Sequence, residues 1–498
     1  MAKFYANLRN VFTFDLRALA LLRIGMAALI LLDLSIRATD LRVFYSDDGI
    51  LPLKTLFQHN WNQFNFSFHT ASGLWQIQAL LFIINGIFAF FLLTGYKTRI
   101  SSFACWIFML SLHNRNPLIL QGGDDLFRMM LFWGMFLPWG KVYAVDSYHK
   151  PQPENMQVFN FATVGYLLQL LSVYFFAALL KTSPEWKSEG TALYYALSLD
   201  QMVYPIGKAI YPFPDLLRFL TLSTWYLELI APLLFLIPFK NAFFRTVGIL
   251  LIASLHIGIS LTLFVGLFYL IGIVTLIGTL PKAWAEAFDK RAFRVKSALE
   301  SFYLDYTSLK RKVIDLNYGF KSALKVPKLF RASLNMALGA VIAYTLIYNW
   351  HTLSNSSITY DNIQKMDWFG QFFKLNQKWG MFSPSVFKDD GWYIYEAETL
   401  DGQWIDLNRE GALVDYEKPV NAVSLYKNDR WRKYGENFIF IKNAYMRPLL
   451  AEYLLKKWNA ENKGNQVKSI KVIYMMEITL PDYQFSAPRK EELATYSN

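Results

Sequence analysis

From Val247 to Leu280 the chain runs for 34 residues without an Asp, Glu, Lys or Arg. Drawn as one helix at 1.5 Å per residue, that stretch would be about 51 Å long. A bilayer hydrocarbon core is only about 30 Å thick. The run therefore predicts two helices, near 245–262 and 265–280, joined by a tight turn near Gly266. Seven more apolar blocks lie near 18–37, 75–96, 100–113, 126–139, 159–180, 216–238 and 332–350. Most are near the roughly 20 residues that cross a bilayer as helix. The blocks at 100–113 and 126–139 are shorter, and either extend into flanking polar sequence or pack inside a bundle. Apolar residues make up 54% of the chain and charged residues 18%, whereas soluble chains carry about 25% charged residues. The expected fold is a multi-pass α-helical membrane bundle of about nine spans.

The net charge of +12 accompanies no nucleic-acid-binding motif, and topology accounts for it better. With the N-terminus inside, segments 1–17, 97–99, 140–158, 239–245 and 282–331 hold 21 Lys and Arg, and the opposite loops hold 7. Basic residues collect on cytoplasmic loops, so the N-terminus is expected in the cytoplasm and the C-terminal region outside. The basic loop 282–331 contains "AFRVKSALESFYLDYTSLKRK". Its aromatic and basic residues interleave as in a helix lying on an anionic leaflet, although charge that merely orients the chain explains it more simply. The N-terminus, "MAKFYANLRN", leads into an apolar segment that contains charges and lacks a small-residue cleavage site, so it reads as a retained first span. The one cysteine, Cys105, excludes disulfides within the chain and Cys-based metal sites.

Residues 1–350 read as the transmembrane domain and 351–498 as an extracytoplasmic mixed α/β, β-rich domain. In "YIYEAETLDGQWIDL", Asp401–Gly402 sits between two strand-like runs, a strong hairpin signal. Leu450, Leu454 and Trp458 share a helical face. Ile470, Val472, Tyr474, Met476, Ile478 and Leu480 alternate, as in a half-buried strand.

Ionisable residues within spans are costly and are functional candidates by default. Arg23 lies near the inner end of the first span and can snorkel; Asp33 lies near the outer end, within reach of water. His256 reads equally well as a satisfied core histidine. Glu228 sits near mid-span, where a carboxylate must be neutralised or meet a cation. Two outer loops, "FYSDDGILP" and "NRNPLILQGGDD", carry Asp47, Asp48, Asp124 and Asp125. Four carboxylates on one side are weak candidates for a divalent cation; helix capping and turn chemistry explain them better, and no tightly bound metal is expected. Lys181 closes the fifth span on the outer side. It is either an interface anchor or, if a pocket desolvates its amine, a base near neutral pH.

Several of these stretches resemble the horizontally transferred transmembrane domain family, whose characterised members are vitamin K-dependent gamma-glutamyl carboxylases. They are "LLRIGMAALILLDL" with "FYSDDGILP", "NRNPLILQGGDDLFRMMLFWGMFLPWG", "VYFFAALLKTSPEW", "NQKWGMFSPSVFKDDGWY" and "RWRKY". The resemblance implies a bacterial inner-membrane protein working on a reduced menaquinone or vitamin K-type quinol. It places the family's lysine base on Lys181, with Glu228 and His256 shaping the catalytic site. Asn116, Tyr174 and Trp186 would contact the quinone, and an extracytoplasmic protein or peptide would be the acceptor. Where the carboxylases carry an Asn-His pair this chain reads "NRNP", which holds no histidine, and no counterpart of a propeptide-gripping region is recognisable. The competing expectation is a non-enzymatic membrane scaffold that binds lipid or a protein partner through the outer domain.

Overall fold

A computed structural model describes residues 2–148, 150–291, 328–353, 356, 358 and 360–497. The chain opens with α1 (Ala2–Phe12) and α2 (Leu16–Ala38), then α3 (Trp75–Thr94), α4 (Thr98–Arg115) and α5 (Gly122–Gly134). It continues with α6 (Phe161–Leu180), α7 (Pro214–Leu234), α8 (Asn241–Thr262), α9 (Phe268–Ile277) and α10 (Lys282–Arg291). The helices α11 (Lys328–His351) and α12 (Tyr360–Phe373) follow. Among the described residues, α2, α3, α6, α7, α8 and α11 are long and apolar enough to cross a membrane.

All nine predicted apolar blocks are helical, but three fall short of a span. α4 is too polar. α5 has 13 residues, nearly all buried inside the bundle. α9 has 10 residues and meets α10 at a bend of 97°. The 34-residue apolar run breaks where expected, at residues 263–267, with Gly266 at φ +58°. That left-handed conformation is cheap only for glycine. The amphipathic stretch 292–312 lies outside the described residues.

The C-terminal region contains β1 (Asp389–Thr399), β2 (Trp404–Asp406), β3 (Ala412–Leu413), α13 (Asp429–Ile439) and α14 (Arg447–Glu461), then β4 (Val467–Ile478) and β5 (Arg489–Ser497). The five strands form one antiparallel sheet in the order β3-β2-β1-β4-β5. The β1–β2 hairpin turns at Asp401–Gly402, with Gly402 at φ +90°. β4 is not half-buried over its centre. Ile470, Val472 and Tyr474 bury one face, while Ile473 and Met475 bury the other against Trp392 and Ile394. It surfaces only near its two ends, at Lys468 and Ile478.

Four ionised side chains fasten this region to the helices. The Arg37 guanidinium on α2 donates to Asp33 and to Asp124, each at 2.7 Å. Arg430, on α13, donates to Asp33 at 2.9 Å and to Asp124 at 2.5 and 2.8 Å. All four are buried. Asp33 therefore does not reach water, because two arginines hold it inside. Arg23 does not snorkel either; it is fully buried and donates to the backbone carbonyls of Trp139 and Tyr143. Around the network, Phe44 packs on Trp431 at 4.9 Å between ring centres, and one apolar core runs from α2 to β4.

Removing one partner of a buried charge pair leaves an uncompensated ion, at a cost of about 3–5 kcal/mol. Arg430→Met is expected to lower thermal stability in detergent by that amount and to open the C-terminal region to protease. Lys456→Ala, which breaks the exposed Lys456–Glu452 pair, is expected to change stability by less than about 1 kcal/mol. Equal effects of the two substitutions would show that the network does not hold the regions together.

Candidate functional site

The end of α6 brings Lys181 to a cavity of about 1060 Å³ between the helices and the C-terminal region. Asn160 starts this helix by accepting the Thr163 amide at 2.9 Å, and Lys181 follows its last residue. Lys181 does not point into solvent; its side chain is 3% exposed. Its Nζ donates to Glu228 Oε2 on α7 at 2.6 Å. The ammonium also lies 4.8 Å from the centre of the Trp186 ring, a distance at which the ring face attracts a cation. Glu228 thus has its cation, and both charges are buried together.

Trp186 is held by its own indole N–H, which donates to the Phe382 carbonyl at 2.9 Å. The Ser183 amide donates to the Pro384 carbonyl at 3.2 Å, and Lys388 pairs with Glu185 at 2.8 Å. The segment after α6 is therefore clamped to residues 382–388, which close that side of the cavity.

Two turns back along α6, Tyr174 is the next polar group facing the cavity. Its hydroxyl lies 2.8 Å from His256 Nε2 on α8. The ring of His256 fits because residue 272 is glycine; a Cβ there would fall 2.1 Å from Nε2. His256 Nδ1 is buried and has no hydrogen-bond partner among the described residues. Lys181, Glu228, His256, Tyr174 and Trp186 all line this one cavity.

Asn116 does not. Its amide donates to the Phe44 carbonyl at 3.0 Å and accepts from the Leu118 amide at 3.1 Å, so it serves as a buried cap. A histidine does stand close to "NRNP", directly before Asn114. It is His113, and it too lies outside the cavity lining, with Nδ1 3.0 Å from Arg128 and Nε2 3.6 Å from Asp124.

The four loop carboxylates do not converge on a common point. Asp124 belongs to the arginine network and accepts the Gln121 amide at the start of α5. Asp125 pairs with Arg128 at 2.7 Å. Asp47 accepts the Leu53 amide at 2.7 Å, and Asp48 faces Arg42 across 3.4 Å at the surface. Capping, turn formation and ion pairing use all four.

A different acidic group was not foreseen. Asp390 on β1 and Glu477 on β4 are direct cross-strand partners, and Asp200 joins them within 4.8 Å. Like charges directly opposite each other repel. Lys418 relieves the repulsion by bridging Asp200, at 2.6 Å, and Glu477. Only the fold brings these four residues together, so no spacing in the chain could have revealed them. Arg430 and Lys418 are the main residues that the sequence left unassigned.

Comparison with family models, with curated proteins and with solved structures found no match.

Burial, reinforced by the Asp200 carboxylate, pushes the Asp390 carboxyl up to about 7. An unfolded aspartate titrates near ~3.9. The folded protein therefore keeps this proton to higher pH, and the resulting stability is complete below about pH 4 and lost as pH rises through about 7. Asp390→Asn is expected to flatten this decline and to raise the midpoint of thermal unfolding at pH 8. A pH profile unchanged by the substitution would contradict the assignment.

Proposed function

We propose that the chain is a bacterial inner-membrane enzyme resembling the vitamin K-dependent gamma-glutamyl carboxylases, with Lys181 as base toward a reduced quinol. The observation that carries this reading is the Lys181–Glu228 pair, buried at 2.6 Å in a cavity of about 1060 Å³. A lysine serving only as an interface anchor would snorkel to water, whereas this one sits under Trp186 with a single acidic partner.

The residues present suit a quinol. Leu227, Leu255, Ile259 and Phe268 give the cavity apolar walls, and Lys181 and the unpartnered His256 Nδ1 supply polar contacts. Bound there, a quinol supplies an acidic hydroxyl and the electrons for chemistry with oxygen or carbon dioxide. Lys181 must first shed its own proton. Glu228 Oε2, 2.6 Å away, is placed to receive it. Lys181 Nζ would then be free to accept a hydroxyl proton from a bound quinol, and as an ammonium it would offer a positive charge at that point of the cavity. Trp186 and residues 382–388 keep water from the amine. Tyr174 fixes the His256 ring so that Nδ1 orients the reactant.

In this reading the N-terminus is cytoplasmic, and Lys181 and the C-terminal region face the other side, as the 21 to 7 division of basic residues implies. The shorter α4, α5 and α9 complete the count of nine by lying within the bundle. The basic residues Lys378 and Lys442 also line the cavity and suit an acidic protein or peptide acceptor.

Lys181→Ala is expected to abolish quinol-dependent uptake of oxygen or carbon dioxide by the purified protein, and Lys181→Arg to lose most of it, since guanidinium does not deprotonate. Unchanged uptake in both variants would remove the catalytic role. Lipid or partner binding that survives Lys181→Arg and Lys181→Gln, with no uptake in the native protein, would establish the scaffold instead.

A further inference from the structure

Where α7 and α8 wall the cavity, small residues stand among larger ones such as Leu227, Leu255 and Ile259. Ser223 and Thr224 on α7 and Ser254 and Gly258 on α8 all line it. These helices also carry the outer surface of the bundle, where Tyr226, Ile230, Ile257 and Leu261 are exposed. Gly258 belongs to both surfaces. It lines the cavity, it is exposed, and a Cβ built on it would meet nothing within 4 Å. A position that is cavity wall and outer surface at once marks an opening.

A second observation points to what passes through it. His256, on the same helix, is 1% exposed and lines the cavity, with Nδ1 lacking a partner among the described residues. A buried polar atom left unpaired is costly, and Nε2 is already committed to Tyr174. The free nitrogen calls for a ligand with a hydrogen-bonding head, and the apolar wall beside it calls for a tail.

We propose that the cavity is entered sideways from the bilayer, through the gap between α7 and α8 at Gly258, by a single-tailed amphiphile whose compact polar head meets His256 Nδ1. This rests on reading the cavity as the site of a lipid-soluble reactant, and it assigns the route and the ligand's form. The tail leaves through the gap, so a large side chain at residue 258 blocks it without touching Lys181 or Glu228.

The test uses the full chain in nanodiscs containing a diazirine-bearing fatty acid, with adducts located by peptide mass spectrometry after irradiation. Adducts are expected on Tyr174 and Trp186 inside and on Ile257 and Leu261 outside. Gly258→Phe is expected to lower the inner adducts about tenfold, equivalent to ~1.4 kcal/mol, and to leave the outer ones unchanged. Gly258→Ala is expected to keep both. Should Gly258→Phe fail to fold, Ser254→Phe blocks the same wall one turn away. Inner adducts that are absent from the native protein, or that persist in the blocked variant, overturn the portal. Menadione, a quinone without a tail, reads the underlying site separately through quenching of tryptophan fluorescence. Quenching without any effect of residue 258 overturns the portal alone, and tail labelling without quenching overturns the quinol reading alone.

Discussion

Two arginines and two aspartates, sealed from water, hold this molecule together. Arg37, Asp33 and Asp124 come from the helical bundle, and Arg430 comes from the C-terminal region. Two positive and two negative charges cancel within the cluster, which is the condition for burying ions at tolerable cost. The cavity depends on this fastening. Part of its lining, including Met381, Arg432 and Tyr474, comes from the C-terminal side, which the paired Arg430 helps to hold in place.

The cavity repeats the same physics on a smaller scale. Lys181 and Glu228 are another buried opposite pair, but one with few additional partners. In the arginine network each carboxylate meets two guanidiniums, and arginine does not give up its proton. Lysine, unlike arginine, is a residue type that can serve as a base. The arginine network contains no such residue, whereas Lys181 and Glu228 both line the cavity. That difference is the reason we propose chemistry at Lys181 and structure at Arg430.

Helix content was largely legible in the sequence, because apolar blocks of bilayer length leave few alternatives. The break near Gly266 and the hairpin at Asp401–Gly402 were equally plain, since each turns on a glycine with a positive φ. Burial of polar groups was not legible. Arg23 and Asp33 look like residues that reach water, because the chain does not reveal that residues 139–143 and α13 come to cover them. Asp47, Asp48, Asp124 and Asp125 lie on two loops that look adjacent, yet each finds a nearer donor. Residues far apart in the chain, such as Asp200, Asp390, Lys418 and Glu477, leave no periodic or spaced signal. Of the six residues named for chemistry, the fold gathers Lys181, Glu228, His256, Tyr174 and Trp186 around one space and sends Asn116 elsewhere.

The central claim is that the buried Lys181–Glu228 pair faces a lipid-soluble reactant. A cryo-electron microscopy map of the protein in nanodiscs supplied with a menaquinone tests it most directly. The account predicts ring density in the cavity with an oxygen within hydrogen-bonding distance of Lys181 Nζ. An empty cavity, with Lys181 turned away from Glu228 toward the lipid headgroups, would contradict it.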